Sequence, residues 1–204
     1  MPKVKVNRKS VSLDMTAMCD VAFLLLTFFI LTTTFKPDES VVVDTPTSIS
    51  EKHLESKEVI VVSVDKDNKV YFSVDGASLK KELLAKMGEK YGLTFTDKEK
   101  QEFANMSDVC VPINELSAIM KLGPFERKNY PTKGVPVDSL NNQLADWIVS
   151  AREINNYLKL GLKGDKDAKY TTTKKVISTI VDKYDNQFYF VTGLEADPRK
   201  APKE

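Results

Sequence analysis

Hydrophobic and polar positions divide this chain into stretches of different period. Leu13 to Phe35, LDMTAMCDVAFLLLTFFILTTTF, is apolar almost throughout. As a helix rising about 1.5 Å per residue it reaches about 35 Å, enough to cross a bilayer with some tilt. Residues 36–57 are polar and turn-rich apart from Val41–Val43, which predicts a linker with one short extended piece. From residue 58 the pattern becomes that of a folded domain. EVIVVSV (Glu58–Val64) and KVYFSV (Lys69–Val74) are β-branched and aromatic runs joined by the turn Asp65–Asn68, a hairpin signal. Ser78 to about Lys90 predicts a helix with Leu79, Leu83, Leu84 and Met87 on one face.

The middle of the chain reads as helical. Thr96 and Glu99 form a capping-box pattern before a short polar helix. Another short helix is expected from about Asn114 to Lys121, ended by Gly123–Pro124. Asp138 is positioned to cap a stronger helix running to about Asn155, with Leu140, Leu144, Trp147, Ile148, Ala151 and Ile154 at helical spacing. Trp147, the only tryptophan, is then a core residue. Alternation of strand and helix returns with a strand over Asn156–Leu162 and a GDKDAKY loop. A helix over Thr171–Lys183 turns Val176, Ile177, Ile180 and Val181 inward, and a last strand covers Gln187–Gly193.

The expected organisation is therefore a cytoplasmic N-terminus (1–12), a membrane helix (13–35), a linker (36–57), an α+β domain (58–194) and a flexible tail (195–204). The domain order is hairpin, helix, helical insertion at about 90–155, strand, helix, strand, which suits a four-stranded sheet.

Charge gives the membrane run a direction. Of 30 Lys/Arg and 29 Asp/Glu, four cations (Lys3, Lys5, Arg8, Lys9) precede the run and two aspartates lie within it. That leaves a balanced 26 against 27 from residue 36 onward. Basic residues beside a span stay in the cytoplasm, so the expected orientation is N-terminus in, domain out. The balanced remainder offers no reason to expect nucleic acid as a partner. A cleaved signal peptide fits poorly, because the run carries an aspartate, exceeds the usual apolar length and ends in TTTFKP without a small-residue cleavage site.

The candidate chemistry is concentrated at Asp20. An ionisable group inside a span costs roughly 2.5–3.5 kcal/mol on insertion scales, so its retention points to a role as a proton carrier or cation ligand. At about 100° per residue, Thr16, Asp20, Thr27 and Thr34 fall in one narrow stripe opposite a bulky apolar face. The stripe is expected to line the proton's path, although threonines equally serve as glue between helices. Asp14 lies about a third of a turn away, at the membrane boundary. Lipid offers no hydrogen bonds, so partner helices must meet the acid.

Elsewhere the sequence argues against catalysis. His53 is the sole histidine, in a polar segment, and Cys19 and Cys110 are too differently placed to pair. No nucleophile triad, metal spacing or phosphate loop occurs, and Gly161, Gly164 and the GDKD loop lack the G-x-x-x-x-G-K pattern. No enzyme activity, cofactor or metal is expected.

LDMTAMCD resembles the entry to the span of the ExbD/TolR family, matching at Thr16 and at the proton-carrying aspartate, Asp20. Ala17 stands where the family often has proline, and Asp14 where asparagine is common. VVVDTPTS is similar to the family's extended Asn-Leu-Pro segment, strictly only at Pro46 and conservatively at Asp44. The hairpin, and the strand, loop and helix from Lys159, are similar to the periplasmic domain, with Gly164–Lys166 in place of an Ala-Asp-Lys tripeptide. Residues from about 90 to 155 have no counterpart in short members.

The resemblance implies a homodimer within an ExbB-like ring in the inner membrane of a Gram-negative cell. There proton flow through Asp20 drives a TonB-like protein and energises outer-membrane transport. It also marks Val42, Val43, Asp44, Thr45 and Pro46 as a candidate partner-binding segment. A TolR-like subunit serving envelope integrity, or a non-conducting membrane-anchored scaffold, are the alternatives.

Overall fold

A computed structural model describes residues 15–33, 43–48, 59–123, 126–127, 129–138, 140–183 and 187–194. The chain forms two compact units, Met1–Lys36 and Pro37–Glu204. In the first, helix α1 (Met15–Thr32) is long and apolar enough to cross a membrane, and none of its residues is buried. The outer parts of the expected span, Leu13–Asp14 and Thr34–Phe35, lie outside the described residues, as does His53.

The second unit is α+β with a mixed sheet. After a short strand β1 (Thr47–Ser48), strands β2 (Val59–Val64) and β3 (Val70–Val74) form the expected antiparallel hairpin, with Val62 opposite Phe72. Asn68 takes a left-handed φ of 63° in the turn, a conformation its short polar side chain tolerates. Helix α2 (Ala77–Tyr91) buries Leu83, Leu84 and Met87 and ends at left-handed Gly92. Helix α3 (Asp97–Asn105) starts from the complete capping box of Thr96 and Glu99, and α4 (Ile113–Met120) follows Pro112.

The start of the next helix differs from expectation. Residues 137–142 form a tight hairpin of β4 (Val137–Asp138) and β5 (Asn141–Asn142). Asn142, not Asp138, caps helix α5 (Gln143–Ile154), its Oδ1 accepting the Ala145 amide at 3.1 Å. Leu140 is fully exposed at the hairpin tip. Strand β6 (Lys159–Gly164) begins later than expected, because Asn155 Oδ1 accepts the Tyr157 amide in a turn. Helix α6 (Tyr170–Lys183) buries Val176 and Ile180, while Val181 is 40% exposed. The expected final strand is split into β7 (Tyr189–Phe190) and β8 (Gly193–Leu194).

The main sheet has the order β3-β2-β6-β7, with β6 parallel to both β2 and β7. Ile60, Val62, Val64, Leu160 and Leu162 are buried in one core with Leu116, Leu144, Ile148, Val176 and Ile180. The middle section is part of that core. Trp147 is fully buried, stacked on Phe72 (5.6 Å) and on Phe103 (5.9 Å), so it joins β3, α3 and α5. The same section closes the β3 edge: Phe72 and Val109 exchange backbone bonds of 3.1 and 2.7 Å, and the Val135 amide donates to Val70 O at 2.7 Å. Gly134 makes this approach possible. Its φ is +77°, and a Cβ there would lie 2.8 Å from Val70 N.

Candidate functional site

In α1, Thr16 lies one turn before Asp20 and Thr27 about two turns after it, all within about 40° of each other around the axis. Thr34 of the same stripe lies outside the described residues. The Thr27 hydroxyl donates to its own backbone at Leu24 O (2.9 Å), as Thr32 does to Phe28 O (2.8 Å) and Thr33 to Phe29 O (2.6 Å). Such back-bonding spends the hydroxyl proton inside the helix and leaves the oxygen lone pairs facing outward. Thr27 is about 10 Å along the axis from Asp20, so it cannot donate to the acid directly. The helix contains no Lys, Arg or His. Among the described residues of this unit, therefore, no basic side chain is available to pair with Asp20. Val21, Phe23, Leu25, Leu26, Phe28, Phe29 and Ile30 are all exposed, an apolar surface that needs lipid or a partner to cover it.

The second candidate is the segment 43–48. Val42 lies outside the described residues, and Val43 is buried. Asp44 is gripped by the loop after β6. Its amide donates to Asp165 Oδ2 (3.1 Å), its carbonyl accepts the Lys166 amide (3.1 Å), and its carboxylate pairs with Lys166 Nζ (2.5 Å). The Asp167 amide, then the Asp44 amide and nearby lysines, hold the Asp165 carboxyl below its ordinary range. The hydrogen bond and charge of Asp44 raise the Lys166 ammonium. Thr45 Oγ1 packs near Gly193, and Pro46 O accepts the Gly193 amide at 3.0 Å. Strand β1 then runs parallel to β8, with Thr47 opposite Gly193 and Ser48 opposite Leu194. Among the described residues β1 pairs with no other strand. Exposed Pro46, which has no amide hydrogen, suits such an edge.

Asp165, Lys166 and Gly193 were not among the residues expected to form a site. A signal was present in the repeated triplet Asp-Lys-Asp at 65–67 and 165–167. The triplets follow β2 and β6, strands that end in register at Val64 and Gly164, so the two turns lie side by side. The Lys169 amide donates to Asn68 Oδ1 at 2.8 Å between them.

Among the described residues no group of three His, Cys, Asp or Glu side chains is placed to hold a metal ion. The family model described as biopolymer transport protein ExbD/TolR matches residues 7–195. The chain belongs to the ExbD/TolR family. The match spans α1, both candidate sites and the middle section, so the section at about 90–155 is carried inside an ExbD/TolR chain. Comparison with curated proteins and with solved structures gives no match. ExbD/TolR membership and the N-terminal apolar helix together fit a single-pass inner-membrane protein concerned with biopolymer transport.

Proposed function

We propose that this chain is the ExbD-like subunit of an inner-membrane motor driven by the proton-motive force, with Asp20 as the proton carrier. The observation that carries the reading is the isolation of Asp20. It is an acid in an apolar helix without a single basic residue, and Thr27 of the same stripe turns its hydroxyl back on its own backbone. An acid that its own helix does not neutralise is suited to a proton that arrives from one side and leaves on the other. The available driving force is about 2.3 kcal/mol per charge per 100 mV.

The four cations before α1 favour a cytoplasmic N-terminus and a periplasmic domain. An ExbB-like ring would cover the apolar face of α1, a second copy of the chain would complete a homodimer, and a TonB-like transducer would receive the force. Residues Val42 to Pro46 supply that transducer with an edge segment, and Thr16, Thr27 and Thr34 line the proton's path. Proton entry is from the periplasm and exit toward the cytoplasm.

Asp20→Asn keeps size and hydrogen bonding but removes titration. Its expected phenotype is loss of energised outer-membrane uptake with normal membrane assembly, measured by transport and by co-purification. Full uptake by the variant would sink the proposal and favour a non-conducting scaffold. Because the family description joins ExbD with TolR, a TolR-like role in envelope integrity is the second reading. Detergent sensitivity of a deletion strain with intact nutrient uptake would select it.

A further inference from the structure

The middle section carries a cleft that the membrane reading leaves unused. Between α3 and the end of α4 is a cavity of about 560 Å³, a size typical of ligand sites. Its two acids are already engaged. Glu99 accepts the Ser117 hydroxyl (2.6 Å) and the Thr96 amide (2.9 Å), and these bonds hold its carboxyl below the usual range. Glu102 accepts from Arg127 Nη2 at 2.7 Å. The same guanidinium donates to Ile119 O (3.2 Å) and Met120 O (3.0 Å), closing the end of α4. Arg127 is therefore a fixed part of the wall.

Lys98 and Lys121 are different. They stand on the two walls, both exposed, and among the described residues neither ammonium donates a hydrogen bond or forms an ion pair. Lys121 contributes only its charge, which is felt at Glu99. The lining carries three cations, Lys98, Lys121 and Arg127, against two carboxylates, Glu99 and Glu102; Arg127 is paired with Glu102, so the cleft keeps a net positive charge of one, carried by lysines free to reach a ligand. Met120 and Leu122 add apolar lining. A small inorganic anion would satisfy one lysine and leave this volume and the apolar lining unfilled.

We infer that the cleft binds a short acidic peptide segment of a partner protein, its carboxylates reaching Lys98 and Lys121 and an apolar side chain resting on Met120 and Leu122. The site lies wholly within the middle section and is independent of proton transfer at Asp20.

The test is calorimetric titration of the full-length chain in detergent micelles with acetyl-Glu-Leu-Glu-amide and acetyl-Lys-Leu-Lys-amide. The acidic peptide is expected to bind at least tenfold more tightly than the basic one, and the combined Lys98→Glu, Lys121→Glu variant to weaken it at least tenfold. Both lysines are exposed, so the variant should keep the parent's far-ultraviolet circular dichroism, with the thermal midpoint lowered only by the like charge placed near Glu99. If the double reversal does not fold, Lys98→Gln and Lys121→Gln tested singly should each weaken binding severalfold. Absence of binding at millimolar peptide, equal binding of the two peptides, or binding unmoved by the variants would overturn the assignment. Equal affinity for free glutamate would overturn it in favour of a small-anion site.

Discussion

Replacing Trp147 tests whether the middle section is an appendage or part of the core. The indole is fully buried between Phe72 and Phe103, and its Nε1–H has no hydrogen-bond partner among the described residues. Trp147→Ala should cost about 3–5 kcal/mol, from lost transfer energy and the cavity left behind. Two ring stacks worth about 0.5–1.5 kcal/mol each are part of that loss. Trp147→Phe keeps a ring in place and discards an unpaired buried donor, whose burial itself costs about 1–3 kcal/mol. Its net loss should be below about 2 kcal/mol. Against a total stability of about 5–15 kcal/mol, only the alanine variant removes a large share. Urea unfolding of the full chain in micelles, followed by far-ultraviolet circular dichroism, reads the difference. With a slope of about 2 kcal/mol per molar urea, Trp147→Ala should lower the midpoint by roughly 2 M. An alanine variant within about 1 kcal/mol of the parent would refute the argument that β3, α3 and α5 share one core.

Three further outcomes are expected. Burial pushes the Cys110 thiol up to about 12, so iodoacetamide at pH 8 should modify it only after denaturant is added, as peptide mapping by mass spectrometry would show. Gly134→Ala should destabilise by at least about 1–3 kcal/mol from its positive φ alone, with the contact to Val70 adding to that, and thermal unfolding should register the loss. Docking of segment 43–48 should be pH-dependent at both extremes. Asp165 is shifted down from 3.8, so its contribution is present above that pH and lost as acid protonates it below. Lys166 is shifted up from 10.5, so its contribution is present below that pH and lost as alkali deprotonates it above. The protection factors of the Asp44 and Lys166 amides, with the intrinsic pH dependence of exchange divided out, should therefore be highest between about pH 4 and pH 10, and factors that stay constant into acid and alkali would contradict the assigned contacts.

Local chemistry was the legible part of the sequence. The β2–β3 hairpin, the Thr96–Glu99 capping box and the apolar face of α2 each depend on neighbours a few residues away, and each is found as expected. Periodicity failed where it continued past a real boundary. Leu140 keeps helical spacing with Leu144, yet Asn142 offers the better cap and the chain before it folds back as a hairpin. Val181 likewise follows Ile180 by one step of 100° and lands at the solvent side of α6. Contacts between distant residues were not readable at all. The bond from the Asp44 amide to Asp165 crosses 121 positions, and β8 is a separate strand only because β1 pairs with it. Asp20 was readable from its place in an apolar run, whereas the back-bond of Thr27 to Leu24 O is set by the side-chain rotamer, which the sequence does not specify.

The parallel pairing of β2 with β6 has a consequence in time. Val59 lies beside Lys159, with the middle section threaded between them. A chain synthesised at about 5–20 residues per second reaches Lys159 roughly 5 to 20 s after completing β2. Throughout that interval VIVVSV lacks its central partner. It is a β-rich segment without charge or proline, the composition that recruits other strands. The hairpin turn DKDN and the early closure of the β3 edge by residues 109–135 are the protection available while it waits. In this chain the middle section thus also sets how long the sheet stays half-built.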